Sequence, residues 1–99
     1  MMLILEFADS QTVTQAEETK EKLRAALDQA SDVLLDCEKI EEVDLSFIQL
    51  VLAARKSADR DGKNLTLLTP ARGVLLAALR RAGLEADGPH RFWFEDKAP

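Results

Sequence analysis

Of 99 residues, one is cysteine (Cys37), one is histidine (His90), three are proline and four are glycine. A lone cysteine excludes an internal disulfide, and its place after an apolar run marks it as a buried, inert thiol. A metal site would need His90, Cys37 and carboxylates far apart in sequence, so no metal is expected. Four scattered glycines make neither a G-x-x-x-x-G-K-[ST] loop nor G-x-G-x-x-G, so the sequence offers no phosphate cradle and implies no cofactor. Scarce proline and glycine also leave no linker or low-complexity segment. No run approaches the ~20 apolar residues of a membrane span, and no basic stretch precedes "MMLILEF" to make it a signal peptide. Positive charge is short as well: 13 Lys and Arg against 18 Asp and Glu give a net charge of -5. That balance argues against nucleic acid and suits a partner with a basic patch. The expectation is a cytoplasmic protein that does not insert directly into a membrane.

What remains is an ordinary globular composition, 46% apolar and 31% charged, sized for a single domain over residues 1–99. "LILEF" (Leu3 to Phe7) reads as a strand. Thr14 and Glu17 have capping-box spacing and open an amphipathic helix to about Gln29, with Ala16, Leu23, Ala26, Leu27 and Ala30 on one face. "DVLLDC" (Asp32 to Cys37) is a second strand, apolar enough to be covered on both sides. "EKIEEVD" reads as an acidic loop with Ile40 and Val43 pinned below it. A helix from Ser46 to about Arg60 carries the longest apolar pattern, and Gly62 suits its left-handed end. "LTLLT" (Leu65 to Thr69) is a third strand. A helix from about Ala71 to Ala82 turns Val74, Leu75, Ala78, Leu79 and Ala82 inward, with Arg80 and Arg81 complementing its dipole and Gly83-Leu84 closing it. Residues 84–99 form a tail in which "RFWF" fits either an edge strand or an aromatic plug, the plug being favoured because large aromatics dominate burial in a small domain. The order β-α-β-α-β-α predicts an α/β domain with a mostly parallel sheet of about four strands and right-handed crossovers.

The chemistry concentrates at "EEVDLSFIQL". Ser46 with Gln49 has capping-box spacing, so a helix cap accounts for the serine. Asp44 lies two residues earlier, and a helix N-terminus also suits a phosphate carried on that serine. A phosphoserine there would crowd Asp44, Glu41 and Glu42 with charge, a workable switch against an acidic partner. A Ser46-His90-Asp44 triad can be written, but no nucleophile elbow accompanies it, and Glu41 with Glu42 fits a solvated loop better than an acid/base pair. No enzyme is expected.

These residues resemble the STAS domain, the family of sulfate transporters and anti-sigma factor antagonists. Asp44-Leu45-Ser46-Phe47 matches its D-[ST]-[ST]-G-type turn, "QLVLAARKSADRDGKNLTLLTP" the helix and strand after it, "LLAALRRAGL" the last helix, and "ADSQTVTQAEETKEKLRAAL" the first helix. Leu45 replaces the first hydroxyl and Phe47 the glycine, and the family's extra N-terminal strand has no counterpart, leaving a sheet edge that can pair with another copy. The resemblance implies a non-enzymatic signalling module. Its partner would be an anti-sigma factor or histidine-kinase-like protein, met through Asp44, Leu45, Ser46, Phe47 and Gln49, with Ser46 as the phosphorylation site. It equally implies a constitutive adaptor subunit of a chemosensory or lipid-transport complex. There Ser46 only caps the helix, and Phe47, with Phe92, Trp93 and Phe94, forms a docking patch.

Overall fold

The computed structural model describes residues 2–84 and 88–94, without the side chains of residues 88–90. Three strands, β1 (Met2–Gln11), β2 (Asp32–Val43) and β3 (Asn64–Leu67), form a sheet of order β1-β2-β3, parallel throughout. Helices α1 (Ala16–Gln29), α2 (Leu45–Arg60) and α3 (Gly73–Arg81) follow the strands in turn. The expected alternation therefore holds, with three strands among the described residues rather than about four. Because both crossovers step the same way across the sheet, right-handedness places α1 and α2 on one face.

Period-two alternation builds that face. On β1, Leu3, Leu5 and Phe7 point toward the helices while Met2, Ile4 and Glu6 point away. The register pairs Leu3 with Val33, Leu5 with Leu35, Val33 with Leu65 and Leu35 with Leu67, so a continuous apolar layer crosses all three strands. Onto it α1 lowers Leu23 and Ala26, and α2 lowers Phe47, Ile48, Val51 and Ala58.

Strands β1 and β2 both run past their expected ends, and the acidic segment 38–43 is strand rather than loop. Its register explains the misreading. Shifts between Glu6 and Ala8 and between Asp9 and Ser10 each place an extra residue in β2. Ile40 and Val43 are therefore both buried at a spacing of three, which no regular strand pattern shows. Asp9 absorbs part of the distortion with a left-handed φ of 58°.

The helix ends were the better-marked features. After α2, the Lys63 N–H donates to the Ala58 carbonyl at 2.8 Å and the Gly62 N–H to Asp59 at 3.2 Å, with Gly62 at φ 70°. After α3, Leu84 donates to Leu79 and Gly83 to Arg80, both at 3.0 Å. Both are Schellman ends in which glycine takes the left-handed position as expected. The start of α1 differs: a 3-10 turn, Val13–Gln15, precedes it, and the Gln15 carboxamide accepts from the Thr12 N–H at 3.0 Å. The box sits at Thr12 and Gln15, not Thr14 and Glu17, because β1 runs to Gln11 and the turn must start at once. On α3, Leu75, Ala78 and Leu79 are buried, whereas Val74 and Ala82 are exposed.

Within the tail, residues 91–94 are the plug and not the edge strand. Residues Gly88–Trp93 form a 3-10 helix held by the Ala71 N–H donating to the Trp93 carbonyl at 2.8 Å. Neighbouring residues of a strand face opposite ways, but a tight turn buries Phe92 and Trp93 together. The Arg55 guanidinium of α2 lies 4.6 Å over the Phe92 ring. Trp93 is 0% exposed, so Trp93→Ala is expected to cost about 3–5 kcal/mol in urea unfolding. Unchanged stability would return the tail to the surface.

Candidate functional site

Strand β2 ends at Val43 and α2 begins at Leu45, leaving Asp44 as the entire turn. Asp44 is extended (φ -128°, ψ -177°), the geometry of an N-cap, and its Oδ1 accepts from the Ser46 N–H at 3.0 Å. The Ser46 hydroxyl donates to the same oxygen. Oδ2 accepts from the Val13 N–H at 3.0 Å, and the Asp44 N–H donates to the Gln11 carbonyl at 3.4 Å. One carboxylate thus joins the start of α2 to the junction between β1 and α1. Its pKa is held below the ordinary 3.8, first by the Ser46 hydroxyl and also by the N–H groups of Val13, Ser46 and Phe47, against some desolvation.

The cap expected at Ser46 with Gln49 therefore belongs to Asp44. A charged acceptor satisfies the free N–H groups and meets the positive end of the helix dipole, so it wins the position. Ser46 becomes the second residue of the helix, half-exposed, with its hydroxyl oriented by Asp44 rather than by the backbone.

Asp44, Leu45, Ser46 and Gln49 all reach the surface, Leu45 at 50% exposure. Phe47 does not. It is 1% exposed and packs edge-to-face on Phe7, ring centroids 5.3 Å apart at 78°. Its expected role in a docking patch is corrected: it supports the turn from beneath. Phe92 and Trp93, buried in the core, leave that patch as well, and Phe94 is half-buried. In their place stands Val13, 70% exposed and tied to Asp44 through its backbone. Nothing in the sequence marks Val13, because only the crossover from β1 brings it beside a residue 31 positions away. Glu41 and Glu42 are exposed along the rim, with Glu42 accepting from the Ser10 hydroxyl at 3.0 Å.

This surface offers hydrogen-bonding groups and exposed aliphatic side chains. Ser46 bonds Asp44 with no imidazole between them, and the His90 side chain lies outside the described residues. Among the described residues no cluster of His, Cys, Asp and Glu could hold a metal ion. Burial, reinforced by Asp36, pushes the half-buried Cys37 thiol up to about 12, which leaves it protonated and unreactive. A separate groove of about 350 Å³ lies between α1 and α2 over Leu23, Leu27, Leu50 and Ala54, away from Asp44 and Ser46.

Two outcomes follow. Phe47→Ala is expected to lose about 3–5 kcal/mol in urea unfolding, with the Phe7 ring left against a cavity. Asp44→Asn keeps the shape of the cap and removes its charge. Because the folded pKa is depressed, the stability this carboxylate contributes is present above its ordinary value and is lost as pH falls through the folded value. Thermal melts should show Asp44→Asn less stable than the parent at neutral pH, with the gap closing in acid. A gap independent of pH would contradict the assignment.

Comparison with known proteins fits this geometry. The family model described as "Mlab, STAS domain" matches residues 4–89. Among solved structures, a sulfate transporter family protein from Wolinella succinogenes superposes with a TM-score of 0.64 at 20% identity, covering 83% of this chain. This chain spans 66% of that one. The anti-sigma factor antagonist SpoIIAA in its unphosphorylated form superposes with a TM-score of 0.64 at 16% identity, covering 96% of this chain and 79% of its own. No curated protein matches the sequence. The fold is shared at identities too low to carry function, whereas the family match spans most of the chain: the protein belongs to the STAS domain family.

Proposed function

We propose that this chain is a non-enzymatic, cytoplasmic signalling module that binds a partner protein of the anti-sigma factor or kinase type through the start of α2, and that phosphorylation of Ser46 releases the partner. The observation that carries the reading is the hydroxyl of half-exposed Ser46, bonded to the Asp44 carboxylate beside exposed Val13 and Leu45. The two aliphatic side chains offer a partner apolar contact, and the Glu41–Glu42 rim favours one that brings basic groups.

The same geometry supplies a release mechanism. Transfer of the γ-phosphoryl group from ATP breaks its β–γ phosphoanhydride bond, forms an Oγ–P bond in place of Oγ–H, releases ADP and the hydroxyl proton to solvent, and adds about 1.5–2 negative charges. The hydrogen bond from Ser46 to Asp44 is lost, and phosphate and carboxylate then compete for the Ser46 N–H. Repulsion pushes Asp44 away from the Val13 N–H as well. A change of charge on one serine thereby becomes a change of shape across the contact surface.

The second reading, a constitutive adaptor in a chemosensory or lipid-transport complex, is favoured by Phe47. A bulky buried ring stands where the family pattern has glycine, beside the backbone a kinase would approach. Among the described residues no helix is long and apolar enough to cross a membrane.

Co-expression with a candidate partner, an anti-sigma-type kinase or a transport-complex subunit, tests both. Co-purification is expected, lost in Val13→Glu and in Leu45→Glu. With ATP, intact mass should rise by one phosphate, absent in Ser46→Ala. Binding that is sensitive to Val13 and Leu45 but accompanied by no phosphate selects the adaptor. Binding indifferent to both substitutions contradicts the surface.

A further inference from the structure

Strand β1 has a composition at odds with its position. A strand buried on both faces reads as a continuous apolar run, while a sheet edge is ordinarily guarded by charge, proline or bulges. Met2-Leu3-Ile4-Leu5 is such a run, yet among the described residues β1 is paired with β2 alone and no strand lies on its other side. Leu3 and Leu5 are only partly buried beneath the helices. On the opposite face Met2 is 63% and Ile4 53% exposed, next to Leu34 in register.

The guards are all placed further along the strand. From Met2 to Glu6 the register with β2 is unbroken, and both irregularities and the left-handed Asp9 follow Glu6. The one charge in the regular segment, Glu6, pairs with Lys39 at 3.3 Å. The unguarded segment is also close to a palindrome about Ile4, with leucine on either side. An antiparallel copy centred there sets Ile4 opposite Ile4 and Leu3 opposite Leu5, and keeps Glu6 away from the other Glu6 by facing it with Met2. Such a pairing is isologous and closes at two chains.

We infer that the Met2–Glu6 edge of β1 pairs antiparallel with the same segment of a second copy, giving a two-fold dimer with one continuous six-stranded sheet. The contact lies at the far end of β1 from Gln11 and Asp44. At about 3.3 Å per residue, the two Ser46 surfaces stand roughly 45 Å apart, facing outward. The dimer itself does not depend on the function proposed for Ser46; its value as a two-headed adaptor rests on that reading.

The interface is small, so its dimer should dissociate on dilution. Sedimentation equilibrium of the full chain is expected to rise from 11.0 kDa toward twice that mass with concentration. Ile4→Lys should remain monomeric with an unchanged circular dichroism spectrum. Register is read by cysteine in a Cys37→Ala background. Ile4→Cys should oxidise to a covalent dimer, since residues opposite each other lie within disulfide reach, while Glu6→Cys alone should not. A folded monomer at hundreds of micromolar, a dimer that survives Ile4→Lys, or cross-linking through Glu6→Cys in preference to Ile4→Cys would each overturn the inference. None of these results bears on partner binding at Ser46, so the two proposals fail separately.

Discussion

The carboxylate of Asp44 is the joint on which the candidate site depends. It takes the N–H and hydroxyl of Ser46 on one oxygen and the N–H of Val13 on the other. A helix start needs an acceptor for its free N–H groups. Here that acceptor also anchors the crossover from β1, so the turn before α2 and the turn before α1 are positioned together. Phe47 and Phe7 lock the same two elements from below. The surface formed by Val13, Leu45 and Ser46 is therefore a product of one polar contact, from the Asp44 turn to the turn after β1, and one aromatic contact between β1 and α2.

Giving the cap to Asp44 changes what Ser46 can do. A serine that caps a helix has its oxygen committed to a backbone N–H. A serine one turn position inside, donating to a carboxylate, keeps its oxygen off the backbone, while the carboxylate that holds it is the group most disturbed by added negative charge. The cap and the oriented hydroxyl, which looked like one residue's alternatives in the sequence, are divided between neighbouring residues.

Much of the fold could be read from the sequence because its signals are local. Alternating β and α patterns, the Gly62 and Gly83 helix ends and the apolar faces of α1 and α2 each depend on residues within a few positions of one another. The second half of β2 escaped because two bulges change its period, making Ile40 and Val43 look like loop anchors. "RFWF" pointed two ways until the backbone turn showed how adjacent aromatics are buried together. At the site, Asp44 and Ser46 were visible as a pair, but their roles were exchanged, since capping spacing fits Ser46–Gln49 as well as Asp44–Ser46. Phe47 was placed outside because an aromatic beside a polar turn gives no sign of which way it faces. Val13 was invisible, its contact being purely tertiary.

The central claim is that one ionised carboxylate holds Val13 and Ser46 at once, and amide chemical shifts followed through an acid titration test it most directly. The account predicts that the Val13 and Ser46 amide protons move together, with a common midpoint below the ordinary carboxylate value. A Val13 amide that stays still while Ser46 titrates, or a midpoint at the ordinary value, would show that Asp44 does not join the two elements.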